Sequence, residues 1–110
     1  MLGTRVSDIS SKADAVVVAA RYDSEDEHLL LAQAYERRGA VWTDVVLLDR
    51  DALLARLRSR RRVYAGEAHP DIPGDFTVRG RLGLQQADGR TYLTLGTPPA
   101  GHDDLAVPVF

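Results

Sequence analysis

Apolar and polar positions alternate most cleanly between Phe76 and Leu95. Phe76, Val78, Leu82 and Leu84 are separated by Thr77, Arg79, Arg81 and Gly83, a period-two pattern that predicts a strand with one buried face. Asp88-Gly89 follows, a dipeptide suited to a two-residue reversal. That turn fixes a register, with Leu84 opposite Leu93, Leu82 opposite Leu95 and Gln85 opposite Tyr92. Phe76, Val78, Leu82 and Leu84 are then expected on one face. Gly80 and Gly83 predict a bend or the close approach of another element.

Upstream the pattern changes twice. Val16-Val17-Val18 is a β-branched run bounded by Asp14 and Asp23, and reads as a strand. Residues 40–49 (AVWTDVVLLD) read as another. Asp49 is then a good N-cap, and Leu53, Leu54 and Leu57 form one apolar stripe, so a helix is expected over about 50–60. Arg61 to His69 reads as a further strand, and residues 70–75 (PDIPGD) as a loop.

Residues 24–38 fit two patterns. As a helix, Ser24 and Glu27 form a capping box, Arg37-Arg38 fall in the last turn and Gly39 follows the end. As a strand turning at Arg38-Gly39, Tyr35 meets Trp42, Ala32 meets Val45, Leu31 meets Val46 and Leu30 meets Leu47, the matching that cross-strand pairing rewards. Local rules do not separate the two.

The element order resembles a family of small bacterial domains of unknown function. The resemblance rests on Trp42 before the helix, Leu53, Leu54 and Leu57 within it, Tyr64 in the next strand, Tyr92-Leu93, and Asp103-Asp104-Leu105 with Pro108. Asp104 stands where the family has Asn. The resemblance implies a strand–hairpin–helix–strand–strand meander, which favours the strand reading of 24–38. It implies no activity. The expected fold is α+β: a mainly antiparallel sheet of five or six strands, curled as a half-barrel, with one helix packed on it. Residues 1–12 are expected as a loose arm and 13–110 as one domain.

Composition narrows the function classes. The 110 residues are 45% hydrophobic and 27% charged, an ordinary globular balance. With no cysteine there is no thiol nucleophile, disulfide or thiolate metal site. The longest apolar run, Ala15 to Ala20, is too short to span a bilayer, and the N-terminus lacks a signal-peptide pattern. A cytoplasmic protein with no membrane partner is expected. Net charge is −2, yet residues 50–62 hold six arginines against one aspartate, a local +5.

That cluster is the first candidate site. Arg56, Arg58, Arg60, Arg61 and Arg62 are suited to phosphate oxygens, as a forked guanidinium binds them bidentately. The same arginines also suit a solvated helix end. Trp42, Tyr64, Tyr92 and His102 are candidates for a pocket, with Tyr35 beside them. Aromatic residues at strand positions are more often core. Asp23, Glu25, Asp26 and Glu27 cluster, but His28 stands where a calcium loop needs glycine. His28, His69 and His102 lack zinc spacing. No phosphate-loop or nucleophile-elbow motif occurs. No cofactor is implied. A non-catalytic interaction or binding module is expected, with a second copy or another protein as partner. Nucleic-acid or phosphate binding through the arginines is the alternative. An enzyme built from Asp71, Asp75, His102 and Asp103 is the least favoured.

Overall fold

The computed structural model describes residues 4–5, 13–25, 28–72, 75–87, 89–95 and 103–110. Chain order is β1 (Thr4–Arg5), β2 (Ala15–Tyr22), β3 (Leu29–Arg38), β4 (Val41–Trp42), β5 (Val46–Asp49), α1 (Arg50–Arg58), β6 (Val63–Ala68), β7 (Phe76–Ala87) and β8 (Arg90–Leu95). The strands run β1-β7-β6-β2-β3-β4, with β5 also on β3 and β8 also on β7. The sheet curls into a half-barrel with α1 packed on it, an α+β fold as expected. It is mixed rather than purely antiparallel, because β2 pairs with β6 in parallel. A parallel pair needs a crossover, and α1 supplies it by carrying the chain from β5 to β6.

Residues 29–38 are strand, not helix. They run antiparallel to β2, and ahead of them the Asp23 N–H donates to the His28 carbonyl at 2.8 Å and the Glu25 N–H to Asp23 Oδ1 at 2.8 Å. Glu27, the far half of the expected capping box, lies outside the described residues. The hairpin itself turns one residue later than expected. Gly39 takes the left-handed φ of +64°, and Arg38 pairs with Val41 and Arg37 with Trp42. The expected single strand over 40–49 is split. Thr43 is the reason: its N–H donates to the Glu36 carbonyl and its Oγ1 accepts from the Glu36 N–H, which halts the ladder. Past this break Ala32 meets Leu48, Gln33 meets Leu47 and Leu31 meets Asp49. The expected Tyr35–Trp42, Ala32–Val45, Leu31–Val46 and Leu30–Leu47 pairings are therefore all wrong.

The downstream hairpin has the expected register, Leu84 on Leu93, Leu82 on Leu95 and Gln85 on Tyr92. Gly89 has a φ of +76°, as such a turn requires; Asp88 lies outside the described residues. Its four apolar residues do not share one face, however. Arg79 is an extra residue against β6, where Ala65 pairs with Gly80 and Gly66 with Val78. One inserted residue breaks the alternation. Phe76 and Val78 therefore join one cluster and Leu82 the other.

The larger cluster lies between the sheet and α1, with Val17, Ala32, Leu48, Leu53, Leu82 and Leu93 in it. The smaller lies on the opposite face, around Val16 and Phe76. β2 is thus covered on both sides, which accounts for its unbroken valine run. Asp49 caps α1, accepting from the Ala52 N–H at 2.8 Å, but the helix ends at Arg58, short of Arg60. Of the expected N-terminal arm, Thr4–Arg5 pairs with β7. The closing residues run beside β2: the Ala20 N–H donates to the Pro108 carbonyl, and the Phe110 N–H to that of Ala20. Among the described residues, no helix is long and apolar enough to cross a membrane.

Candidate functional site

Two elements distant in sequence meet where β3 ends and α1 stops. Glu36 is next to last on the helix-facing row of β3, and its side chain is largely buried. Arg56, in the last turn of α1, answers it with a two-pronged grip: Nε to Oε2 at 2.9 Å and Nη2 to Oε1 at 3.2 Å. A fork-to-fork pair of this kind fixes both side chains.

The end of α1 then reverses the chain. Ser59 is the C-cap. The Arg60 N–H donates to the Leu57 carbonyl and the Arg61 N–H to the Arg56 carbonyl, which is the bond pattern of a Schellman end. Its left-handed position is held by Arg60, with φ of 65°, and not by glycine. The reversal carries Arg61 back beside Arg56 and sends Arg62 toward β2. There the Arg62 N–H and Nε both donate to Asp14 Oδ2, at 2.8 and 3.2 Å.

The result is an open cleft of about 710 Å³ lined by Glu36, Arg37, Arg38, Arg56, Ser59 and Arg61, with small residues between them. Four guanidinium groups against one carboxylate leave +3 on its wall. Arg37 is tied down, with Nη2 3.6 Å from Asp14 Oδ1 and Nε donating to the Ala13 carbonyl. Arg38 and Arg61 are exposed, and among the described residues their side chains make no hydrogen bond or ion pair. The fork of Arg56 holds the Glu36 carboxyl below its ordinary range, with Arg61 and Arg38 adding to the effect. Those two charges therefore bear on the same point from the helix end and from the hairpin.

The expected arginine cluster is thus divided. Arg56 and Arg61 line the cleft, Arg62 is engaged with Asp14, and Arg58 and Arg60 point to solvent elsewhere. Arg37, Arg38 and Glu36 were not foreseen in the site. Arg37-Arg38 was visible as a charge pair, but only the fold sets it opposite the helix end.

The aromatic candidates separate too. Trp42 and Tyr64 pack in the smaller cluster, with the Trp42 and Phe76 rings 4.8 Å apart and Tyr35 5.2 Å from the same ring. Tyr92 is buried edge-on to His28, at 6.0 Å. His102, Asp26 and Glu27 lie outside the described residues. His69 Nδ1 accepts from the Asp71 N–H, a contact within its own loop, and Asp75 is buried and accepts from the His69 N–H through its carbonyl. Asp103 is wholly buried and serves as a tie. It accepts from the backbone N–H groups of Leu29 at 2.7 Å and Leu93 at 2.9 Å, and from Arg50 Nε at 2.8 Å. Burial alone would raise its carboxyl; these donors overcome that and hold it below its ordinary range. No group of three or more metal-ligating side chains occurs among the described residues. No family model, curated protein or solved structure matches the chain.

Proposed function

We propose that this chain is a non-catalytic binding module that receives an anionic group in the arginine-lined cleft. The observation that carries the reading is the pair of exposed guanidinium groups, Arg38 and Arg61, lining one cleft with the interlocked Glu36–Arg56 pair. Guanidinium groups without a partner among the described residues are available to grip an anion's oxygens. Catalysis is not part of the reading, because the cleft's one carboxylate is taken by Arg56 and its one hydroxyl, Ser59 Oγ, donates to the Arg56 carbonyl. A cytoplasmic setting and membership of the small bacterial family belong to the same proposal.

The test is retention of the chain on an immobilised polyanion at low salt. A protein of net charge −2 has no general attraction to such a matrix. Expected are retention, release at moderate salt, and loss on Arg38→Ala with Arg61→Ala. A wild-type chain that flows through at low salt sinks the reading.

A second reading has one observation behind it. β5 is hydrogen-bonded to β3 alone among the described strands, and Val45 just before it and Leu47 within it are 48% and 60% exposed. A second copy adding to this edge would form a homodimer. Antiparallel self-pairing centred on β5 sets Asp49 of each copy against Val46 of the other, a charge against an apolar residue, so this reading stands behind the first. Its check is mass by light scattering across a concentration series.

A further inference from the structure

The cleft offers charge without a platform for bases. None of its lining residues is aromatic. The nearest rings on the hairpin, Tyr35 and Trp42, are committed to Phe76 on the other face of the sheet. Binders of single-stranded nucleic acid stack successive bases on aromatic side chains and draw much of their affinity from it. The backbone of a strand would find arginines here, but its bases would have nothing to lie on.

The amount and spread of charge also select. A wall of +3, with Arg37 already balanced by Asp14, matches a ligand carrying a few negative charges in a short length. A volume of about 710 Å³ belongs to the range of small-ligand sites, so a lone phosphate would sit loosely. Arg38 and Arg61 enter from different elements, the β3 hairpin and the end of α1, and Glu36 and Arg56 line the same cleft. A ligand with several anionic groups can engage both, whereas the Glu36 carboxylate repels an anion set against it. A linear chain of phosphates places its oxygens at intervals and can meet more than one arginine without setting a phosphate against the carboxylate.

Resting on the anion-binding reading above, we propose that the ligand is a short linear polyphosphate group, held between Arg38 and Arg61 and recognised without reference to any attached base. Such a group is available as free polyphosphate or as the tail of a nucleoside triphosphate, and the two sources are distinguishable by titration. Calorimetry on the full chain would compare tripolyphosphate, ATP, AMP, orthophosphate, a short oligothymidylate and an aspartate-rich peptide.

Expected is binding of tripolyphosphate and ATP within about threefold of each other, with AMP, orthophosphate and the peptide weaker by about tenfold or more. Arg38→Ala and Arg61→Ala should each weaken tripolyphosphate by about tenfold. Arg58→Ala, outside the cleft, should change it less than about twofold. Both cleft arginines are exposed, so the variants keep the fold, and a thermal melt verifies it. Tighter binding of oligothymidylate or peptide than of tripolyphosphate overturns the ligand class and leaves the anion reading standing. ATP binding about tenfold tighter than tripolyphosphate shows base recognition and overturns the inference in the same way. An equal loss on Arg58→Ala removes the site from the cleft. If none of these anions binds, both proposals fall.

Discussion

Two glycines of this chain sit in strand pairings with opposite demands. A Cβ on Gly66 would collide with the Thr77 carbonyl oxygen across the β6–β7 ladder, while one on Gly83 would meet nothing within 4 Å. Gly66 is at the point where Arg79 is inserted, so the close approach and the bulge are one feature. That bulge decides which cluster Phe76 and Leu82 enter. Gly66→Ala is expected to cost ~1–3 kcal/mol through forced backbone displacement. Gly83→Ala should stay within ~0.5 kcal/mol, as for an unconstrained surface change. Urea unfolding of the two variants side by side checks the contrast. Equal effects would mean that the crowding at Gly66 is not a native constraint. Nothing local in the sequence separates these two glycines, because the carbonyl that makes one of them obligatory belongs to a neighbouring strand.

At the scale of elements, legibility followed the range of the deciding contacts. The β7–β8 hairpin was readable because its turn and its leucines specify the same register and lie within a few residues of each other. The β3–β5 hairpin was readable in kind but not in register. The side chain of Thr43 takes over backbone pairing there, and alternation says nothing of that. The start of α1 was written in Asp49, whereas its end was not, since Arg60 occupies the left-handed position that glycine usually marks. The cleft was half visible: the arginines of the helix end stood out, but their opposite wall depends on the hairpin reading. A left-handed non-glycine residue costs roughly 1 kcal/mol, partly offset by the greater freedom glycine has when unfolded. Arg60→Gly is therefore expected to leave stability unchanged or raise it by up to about 1 kcal/mol, and to leave anion binding intact because Arg61 keeps its place. Asp49→Ala, at the other end of the same helix, should cost ~1 kcal/mol by removing the cap on Ala52. Thermal melts of both variants test whether α1 is bounded as described; a loss above about 1 kcal/mol for Arg60→Gly would contradict the reversal.

Across the whole molecule, three carboxylates fasten the helical crossover to the sheet. Asp103 ties the start of α1 through Arg50, Glu36 ties its last turn through Arg56, and Asp14 ties the chain just beyond through Arg62, with Arg37 added. Burial works against the Asp14 carboxyl, yet the donors from Arg62 hold it down; Asp103 is lowered against its burial in the same way, and Glu36 chiefly by Arg56. Their ordinary values are 3.8 for the aspartates and 4.5 for the glutamate. A carboxyl whose folded value lies below its unfolded one binds fewer protons when folded. Its contribution is complete above the unfolded value and disappears as pH falls through the folded one. Stability is thus expected to be level from about pH 7 to 5 and to fall progressively below about pH 4.5. Asp14 contributes least, because its pair is partly exposed and screened. Asp103, with no exposed side-chain surface, contributes most. Asp103→Asn should lose about 3–5 kcal/mol at neutral pH, the cost of leaving Arg50 without its charge partner, and should flatten the acid limb. If that variant does not fold, Glu36→Gln gives a milder version of the same flattening. Urea midpoints measured from pH 7 to 3 decide the matter. A wild-type profile that stays level to pH 3, or one equally steep in both variants, would show that these ties do not carry the acid sensitivity of the fold.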